Sequence, residues 1–228
     1  MNLLALDTST EFCSVALDGG GRRFSRHVLA GNTHSEIALG LIDGLLAEAG
    51  LRIADLSGIA FGEGPGSFTG LRIGAGIVQG LALSRDLPVA GICTLEALAE
   101  EARRLHGCNR VIACLDARMS EVYHAAYVHE GGAWRVESAP GVFPPASVPA
   151  VGGTGWAGAG SGFAACGDAL GALYGAQLAR VLPDVWPVAG AILDLARPLF
   201  ERGGAGDAAT AVPIYLRDKV ALKSSERA

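Results

Sequence analysis

The stretch Leu3-Leu4-Ala5-Leu6-Asp7-Thr8-Ser9-Thr10-Glu11-Phe12-Cys13-Ser14-Val15-Ala16-Leu17 returns in altered form half a chain later. The echo is Ile112-Ala113-Cys114-Leu115-Asp116-Ala117-Arg118-Met119-Ser120-Glu121-Val122-Tyr123-His124-Ala125-Ala126-Tyr127. Each copy begins with an apolar run, reaches an aspartate, crosses a short polar turn and resumes as an apolar segment ending near glycines (Gly19 to Gly21; Gly131 and Gly132). A repeat on this scale constrains the whole fold, because each copy must find an equivalent place in its own core. The apolar runs are short and bounded by turn residues, which suits buried strands better than helices. Two related lobes, each opening with a β-hairpin, are therefore expected.

An aspartate ending the first strand of a hairpin suits phosphate handling. Its carboxylate can hold hydrated Mg²⁺ while hydroxyls and backbone N–H groups of the turn face phosphates. The plainer reading is that Asp7 and Asp116 end strands and start turns, as aspartate often does. Repetition speaks for common ancestry of the two halves and leaves present activity open.

The chain has 228 residues, 50% of them hydrophobic and 18% charged, enough for two small lobes or one large domain. Net charge is −5, and no Lys/Arg cluster exceeds the pairs Arg22-Arg23 and Arg103-Arg104. A protein that grips nucleic acid alone usually shows a basic face, so unaided binding of that kind is not expected. The five cysteines (Cys13, Cys93, Cys108, Cys114, Cys166) form no CxxC, are odd in number and lie largely in apolar segments. That suits reduced thiols and a cytoplasmic location. Met1-Asn2 leads straight into the first strand, so no signal peptide is expected. The uncharged stretch from Ser138 to Gly167 contains four prolines and many glycines, so no membrane span is expected either.

The first lobe, residues 1–105, reads as three strands, the third over 22–29, followed by a helix. Thr33-His34-Ser35-Glu36 has the T-x-x-E capping-box pattern, and Gly50 supplies a stop after Ala49. His34 reads as a solvated first-turn residue. A buried strand is expected around 57–61, a helix from about Thr69 to Ser84, a strand over 87–92 and a helix over 94–105. The second lobe, residues 110–228, opens with the repeated hairpin from Val111. After Gly131 it loses periodicity and reads as irregular, up to a helix over 191–201 and an ordered segment over 211–217. The polar tail from Lys219 is expected to fray.

On the first helix, Ile37, Ala38, Leu39, Leu41, Ile42, Leu45, Leu46 and Ala49 cover an arc of roughly 200°, where one sheet-facing stripe needs little over 100°. The second helix has no charged residue from Ile73 to Leu83. Its glycines are spaced Gly70-x-x-x-Gly74 and Gly76-x-x-x-Gly80, which lets another backbone approach closely. A glycine inside a helix costs ~1 kcal/mol relative to alanine, so several together need a reason. Burial of both helices inside the lobe is one reason; a face awaiting a partner is the other, and the preferred, reading.

Complete catalytic kits are missing. Gly64-Pro65-Gly66-Ser67-Phe68-Thr69-Gly70 precedes a helix but is followed by Leu71-Arg72 rather than the Lys-Ser/Thr of a phosphate loop. The second hairpin turn carries Arg118 and Met119 where close approach of phosphate favours glycine. The five histidines lack metal-ligand spacing, and no GxSxG is present.

Several segments together resemble one family. They are Leu6-Asp7-Thr8-Ser9, His34-Ser35-Glu36, Gly64-Pro65-Gly66-Ser67-Phe68-Thr69-Gly70-Leu71-Arg72-Ile73-Gly74, Thr94-Leu95-Glu96-Ala97-Leu98, Asp116-Ala117-Arg118, Glu121-Val122-Tyr123 and Pro213-Ile214-Tyr215-Leu216-Arg217. They are similar to the TsaB (YeaZ) family over essentially the whole chain, more loosely from Gly131 to Leu193. The resemblance implies an α/β, actin/Hsp70/sugar-kinase-like (ASKHA) fold of two duplicated lobes, the second reduced. It implies a cytoplasmic role in making N6-threonylcarbamoyladenosine at position 37 of tRNA, as the non-catalytic partner of the paralogue TsaD. TsaD transfers the threonylcarbamoyl group, and an ATPase of the TsaE type joins the pair. ATP and metal then belong to the partners, no cofactor belongs to this chain, and tRNA is met only indirectly. The H-x-E-x-H metal motif of TsaD corresponds here to the segment from Thr94 to Leu98, where only Glu96 remains. One carboxylate does not replace two imidazoles on a catalytic metal.

The same resemblance implies pairing through the two N-terminal-lobe helices, with TsaD or with a second copy as a homodimer. It maps the interface to Ile37, Leu41, Leu45, Arg72, Ile73, Gly74, Ile77, Val78 and Leu81. Glutamate at Ile73 or Ile77 is expected to leave the monomer folded and abolish pairing. Asp7, Ser9, Gly64, Gly66 and Asp116 remain as a vestigial phosphate site. The competing readings are a small ASKHA-fold ATP-dependent phosphotransferase built on Asp7 and Asp116, and a metallopeptidase, which the missing ligands disfavour.

Overall fold

A computed structural model describes residues 1–217. The expectation for the tail from Lys219 lies outside the described residues. The first five strands are β1 (Leu3–Asp7), β2 (Phe12–Gly19), β3 (Arg22–Leu29), β4 (Gly58–Gly64) and β5 (Val89–Cys93). They form one sheet in the order β3-β2-β1-β4-β5, in which β1, β2 and β3 form an antiparallel meander and β1, β4 and β5 run parallel. The next five are β6 (Arg110–Asp116), β7 (Val122–Glu130), β8 (Ala133–Phe143), β9 (Trp156–Ala159) and β10 (Leu178–Leu182). Their order, β10-β9-β6-β7-β8, and their directions repeat the first sheet strand for strand. The echo in the sequence is the first hairpin of each sheet.

The repeated runs are apolar throughout because both faces of each sheet are covered. Leu4 and Leu6 of β1 face a core built with helices α1 (His34–Ala49) and α2 (Phe68–Leu83). Leu3 and Ala5 face the opposite way, onto Ile192, Ala196 and Phe200 of α6 (Ala189–Glu201). In β6, Val111, Ala113 and Leu115 pack with Leu95, Leu98 and Ala102 of α3 (Thr94–His106). Ile112 and Cys114 pack with Phe163 of α4 (Ser161–Ala165) and with Leu170 and Tyr174 of α5 (Gly167–Tyr174). The molecule is thus layered as α1 and α2, first sheet, α6 with α3, second sheet, α4 and α5.

Four expectations are corrected. The sheets divide near residues 105–110, but the packing does not: α6, from the chain's second half, covers the first sheet. Beyond it, Val89 of β5 exchanges two backbone hydrogen bonds with Gly206, at 2.8 and 2.9 Å. Next, the region after Gly131 is regular, holding β8, β9, β10, α4 and α5. The second lobe is reduced mainly in its helices, 5 and 8 residues against 16 in each of α1 and α2. Finally, Thr33 makes no cap hydrogen bond to the helix; its hydroxyl donates to Ala30 O at 2.8 Å. His34 is buried, with Nε2 3.3 Å from Phe12 O, rather than solvated.

An ionic cluster fixes α6 against the meander. Arg23 pairs with Asp18 (2.6 Å) and Asp194 (2.8 Å), Arg197 with Asp18 (2.6 Å), and Arg104 of α3 with Asp194 (3.1 Å). Despite partial burial, the two arginines hold the Asp18 carboxyl below the usual carboxylate range.

Candidate functional sites: the interlobe cleft and the outer helix face

The first hairpin turn is filled by its own chain. Asp7 Oδ1 accepts from Ser9 N (3.1 Å) and Ser9 Oγ (2.9 Å), while Asp7 Oδ2 is buried without a hydrogen-bond partner. Burial pushes the Asp7 carboxyl up to about 7, against the smaller lowering effect of the Ser9 bonds. The loop after β4 then seals the turn. Ser67 N donates to Ser9 O (2.7 Å), and Thr8 Oγ1 donates to Gly70 O (2.7 Å).

These contacts explain part of the glycine block. A Cβ at Gly66 would lie 2.4 Å from Ser9 O, at Gly70 1.9 Å from Thr8 O, and at Gly74 2.5 Å from Thr8 Oγ1. The Gly70/Gly74 pair therefore serves an approach within the lobe. Donors that a phosphate-holding hairpin would present are here spent on protein.

A cleft of about 730 Å³ separates the lobes. Of the five residues of the expected phosphate site, Ser9, Gly66 and Asp116 line it, whereas Asp7 and Gly64 do not. Asp116 is engaged by Arg118, through the backbone N (2.8 Å) and the guanidinium (3.0 Å). Arg118, Met119 and Ser120 all have positive φ (62°, 54° and 57°). That conformation costs a non-glycine residue roughly 1–2 kcal/mol each. The turn keeps a shape that glycine would adopt freely, with side chains standing in the space.

On the outer helices, the interface residues expected from sequence fall into two groups. Leu45 and Val78 are fully buried in the first core, and Gly74 is buried against Thr8. These three are structural, which corrects their assignment to a partner face. Ile37, Leu41, Ile77 and Leu81 are half-buried, leaning on that core with their outer edges open, and Ile73 is half-buried outside it. Arg72 is exposed but held by its own chain, with its guanidinium 3.6 Å above the Phe68 ring and Nε donating to Tyr215 Oη at 2.9 Å.

What lies open above these helices is glycine. Among the described residues, Gly76 and Gly80 have nothing within 4 Å of a Cβ position, and neither do Gly40 and Gly44 of α1. At ~100° per residue, each pair sits roughly opposite its helix's core stripe. Leu83, 73% exposed, extends the α2 surface. Gly40-x-x-x-Gly44 repeats the α2 spacing and is visible in the sequence, although the wide apolar arc of α1 masks it.

The segment matching the paralogue's metal motif is committed to packing. Thr94 Oγ1 donates to Pro65 O, and Leu98 is fully buried in the second-sheet core. Glu96 is half-buried, and desolvation, with Glu100 and Glu63 nearby, pushes its carboxyl up. Among the described residues, no three His, Cys, Asp or Glu side chains converge as a metal site.

Residues 28–151 match the family model described as TsaD, tRNA N6-adenosine threonylcarbamoyltransferase. The chain is 39% identical over 231 residues to the tRNA threonylcarbamoyladenosine biosynthesis protein TsaB of Escherichia coli, covering 98% of this chain and 97% of that protein. The Haemophilus influenzae TsaB is 52% identical over 130 residues, covering 57% of this chain and 55% of its own length. Among solved structures, YeaZ from Pseudomonas aeruginosa superposes with a TM-score of 0.85 at 38% identity, covering 94% of this chain and 99% of that one.

Proposed function

We propose, because this chain belongs to the TsaB (YeaZ) family of tRNA threonylcarbamoyladenosine biosynthesis proteins, that within that biosynthesis it is a non-catalytic subunit. It pairs with and activates TsaD through the outer face of α1 and α2, and TsaD transfers the threonylcarbamoyl group to adenosine 37. An ATPase of the TsaE type joins through the complex, ATP and metal reside on the partners, and tRNA is reached through them. A homodimer through the same face is the state of the free protein. The complex works in the cytoplasm; among the described residues no helix is long and apolar enough to cross a membrane.

The observation that carries this reading is the pair of open glycine ridges, Gly40/Gly44 and Gly76/Gly80, facing away from their own core. Each such glycine costs ~1 kcal/mol of helix stability relative to alanine, and among the described residues nothing occupies the room. A partner helix packing at close range would. The assignment of the chemistry to the partner rests on Thr94 and Leu98, whose side chains serve packing where the paralogue has metal ligands. A phosphotransferase built on Asp7 and Asp116 would need both carboxylates at the cleft, and Asp7 does not line it.

Reconstitution tests the reading. Threonylcarbamoyl transfer to tRNA is measured with TsaD and the TsaE-type ATPase, with and without this chain, and with this chain alone. Transfer that needs TsaD and rises when this chain is added supports the assignment. Transfer by this chain alone contradicts it.

A further inference from the structure

The segment from Ala211 to Arg217 forms neither helix nor strand, yet it is held at Ala211, Ile214, Tyr215 and Arg217 by groups of both lobes. Gln79 of α2 donates to Ala211 O at 2.9 Å. Ile214 N donates to Glu63 O at 2.7 Å, and Ile214 O lies so close to Gly64 that a Cβ there would meet it at 2.6 Å. Tyr215 packs on Phe68, with ring centroids 5.4 Å apart, and accepts the hydrogen bond from Arg72. All these anchors belong to the first lobe. Arg217 then crosses to the second lobe, where it pairs with Glu121 and approaches Met119 Sδ at 3.7 Å.

The receiving turn is the strained one. Residues 118–120 hold three consecutive left-handed conformations without glycine. Strain of this kind persists only where neighbours over-determine it. The backbone bonds Ala117 N to Glu121 O and Glu121 N to Arg118 O account for part of that constraint. Arg217, touching both Met119 and Glu121, adds a contribution from outside the turn. Residues 214–217 also line the cleft whose far wall is this turn.

We propose that residues 211–217 are a latch across the mouth of the interlobe cleft, seated on α2 and the end of β4, with Arg217 closing it on the strained turn of the second lobe. Two-lobed folds open by rotation about a hinge, and here α3 and α6 pack together between the two sheets and join the lobes. Any opening of the cleft then requires release of Arg217 from Glu121, or of Tyr215 from its seat on Phe68 and Arg72. The two ends act in series, so loss of either frees the lobes.

Amide hydrogen exchange on the full-length chain tests the latch, comparing wild type with Arg217→Ala, Glu121→Ala, the double variant and Arg217→Lys. In both single alanine variants the amides of residues 117–121 and of the facing 64–68 loop are expected to exchange about three- to tenfold faster. The double variant should exchange no faster than either single one, and Arg217→Lys should recover part of the protection. The amides of β1 and β6 should stay protected, separating latch release from unfolding. Acceleration confined to residues 211–217, effects that multiply in the double variant, or general loss of protection in β1 and β6 would each overturn the proposal.

Discussion

Two buried titratable side chains give the protein opposing responses to pH. The Asp7 carboxyl is pushed up to about 7 by burial, so the folded state holds a proton that the unfolded chain releases near pH 4. Its contribution is greatest at low pH and is lost as pH rises from about 4 to about 7, by roughly 4 kcal/mol at most. His124 works the other way. It is fully buried, its Nε2 lies 2.9 Å from Tyr174 Oη, and its Nδ1 has no partner. The Tyr174 hydroxyl donates to Pro149 O, so the imidazole is the donor to Tyr174, neutral and protonated at Nε2. Burial lowers its pKa to about 4. Stability held by this neutral ring is complete above about pH 6.5 and falls, by about 3 kcal/mol in all, as pH drops toward 4. Thermal melts across pH 4 to 8 separate the two. Asp7→Asn should remove the loss on raising pH and leave a protein that melts higher as pH rises; His124→Phe should remove the loss on lowering it. Unchanged pH profiles in both variants would contradict these assignments. Neither environment was legible in sequence, since both residues read as ordinary members of a strand or turn.

At the scale of the element, the four glycines of α2 divide by face, and so should their substitutions. Gly70→Ala drives a Cβ into Thr8 O and should destabilise the fold by roughly 1–3 kcal/mol. Gly80→Ala meets open space and should stabilise it by up to about 1 kcal/mol. Urea melts of the two variants should therefore shift in opposite directions; shifts of the same sign would mean the glycines have one role. This division refines what the sequence could offer. Spacing marked both pairs as places of close approach, and the apolar run marked the helix as doubly faced. Only the position of Thr8 shows that Gly70/Gly74 is already used. By the same token, glutamate at Ile77 is a poor probe of pairing, because this half-buried side chain also supports the lobe's own core, whereas Ile73 is half-buried without joining it.

Over the whole molecule, the duplicated hairpin told most of the architecture, since a buried strand that ends in Asp and turns back can be placed in only a few sheet topologies. The rest was hidden for physical reasons. β9 is Trp156-Ala157-Gly158-Ala159, too short and small in side chain to show a period, and Gly158 is needed because Phe163 packs where its Cβ would be. β8 contains Pro140, which argues against a central strand but is tolerated here at the sheet edge. The return of α6 to the first sheet could not be read from periodicity, which identifies an apolar face but not its mate. The outer face of α1 and α2 is the claim on which the functional account turns, and its glycines offer the most direct measurement. Calorimetric titration of the TsaD paralogue with wild type, Gly76→Leu and Gly40→Leu should show binding lost or weakened at least about tenfold in the variants, while their own melting temperatures stay level or rise. Binding by both leucine variants as tight as wild type would contradict the account.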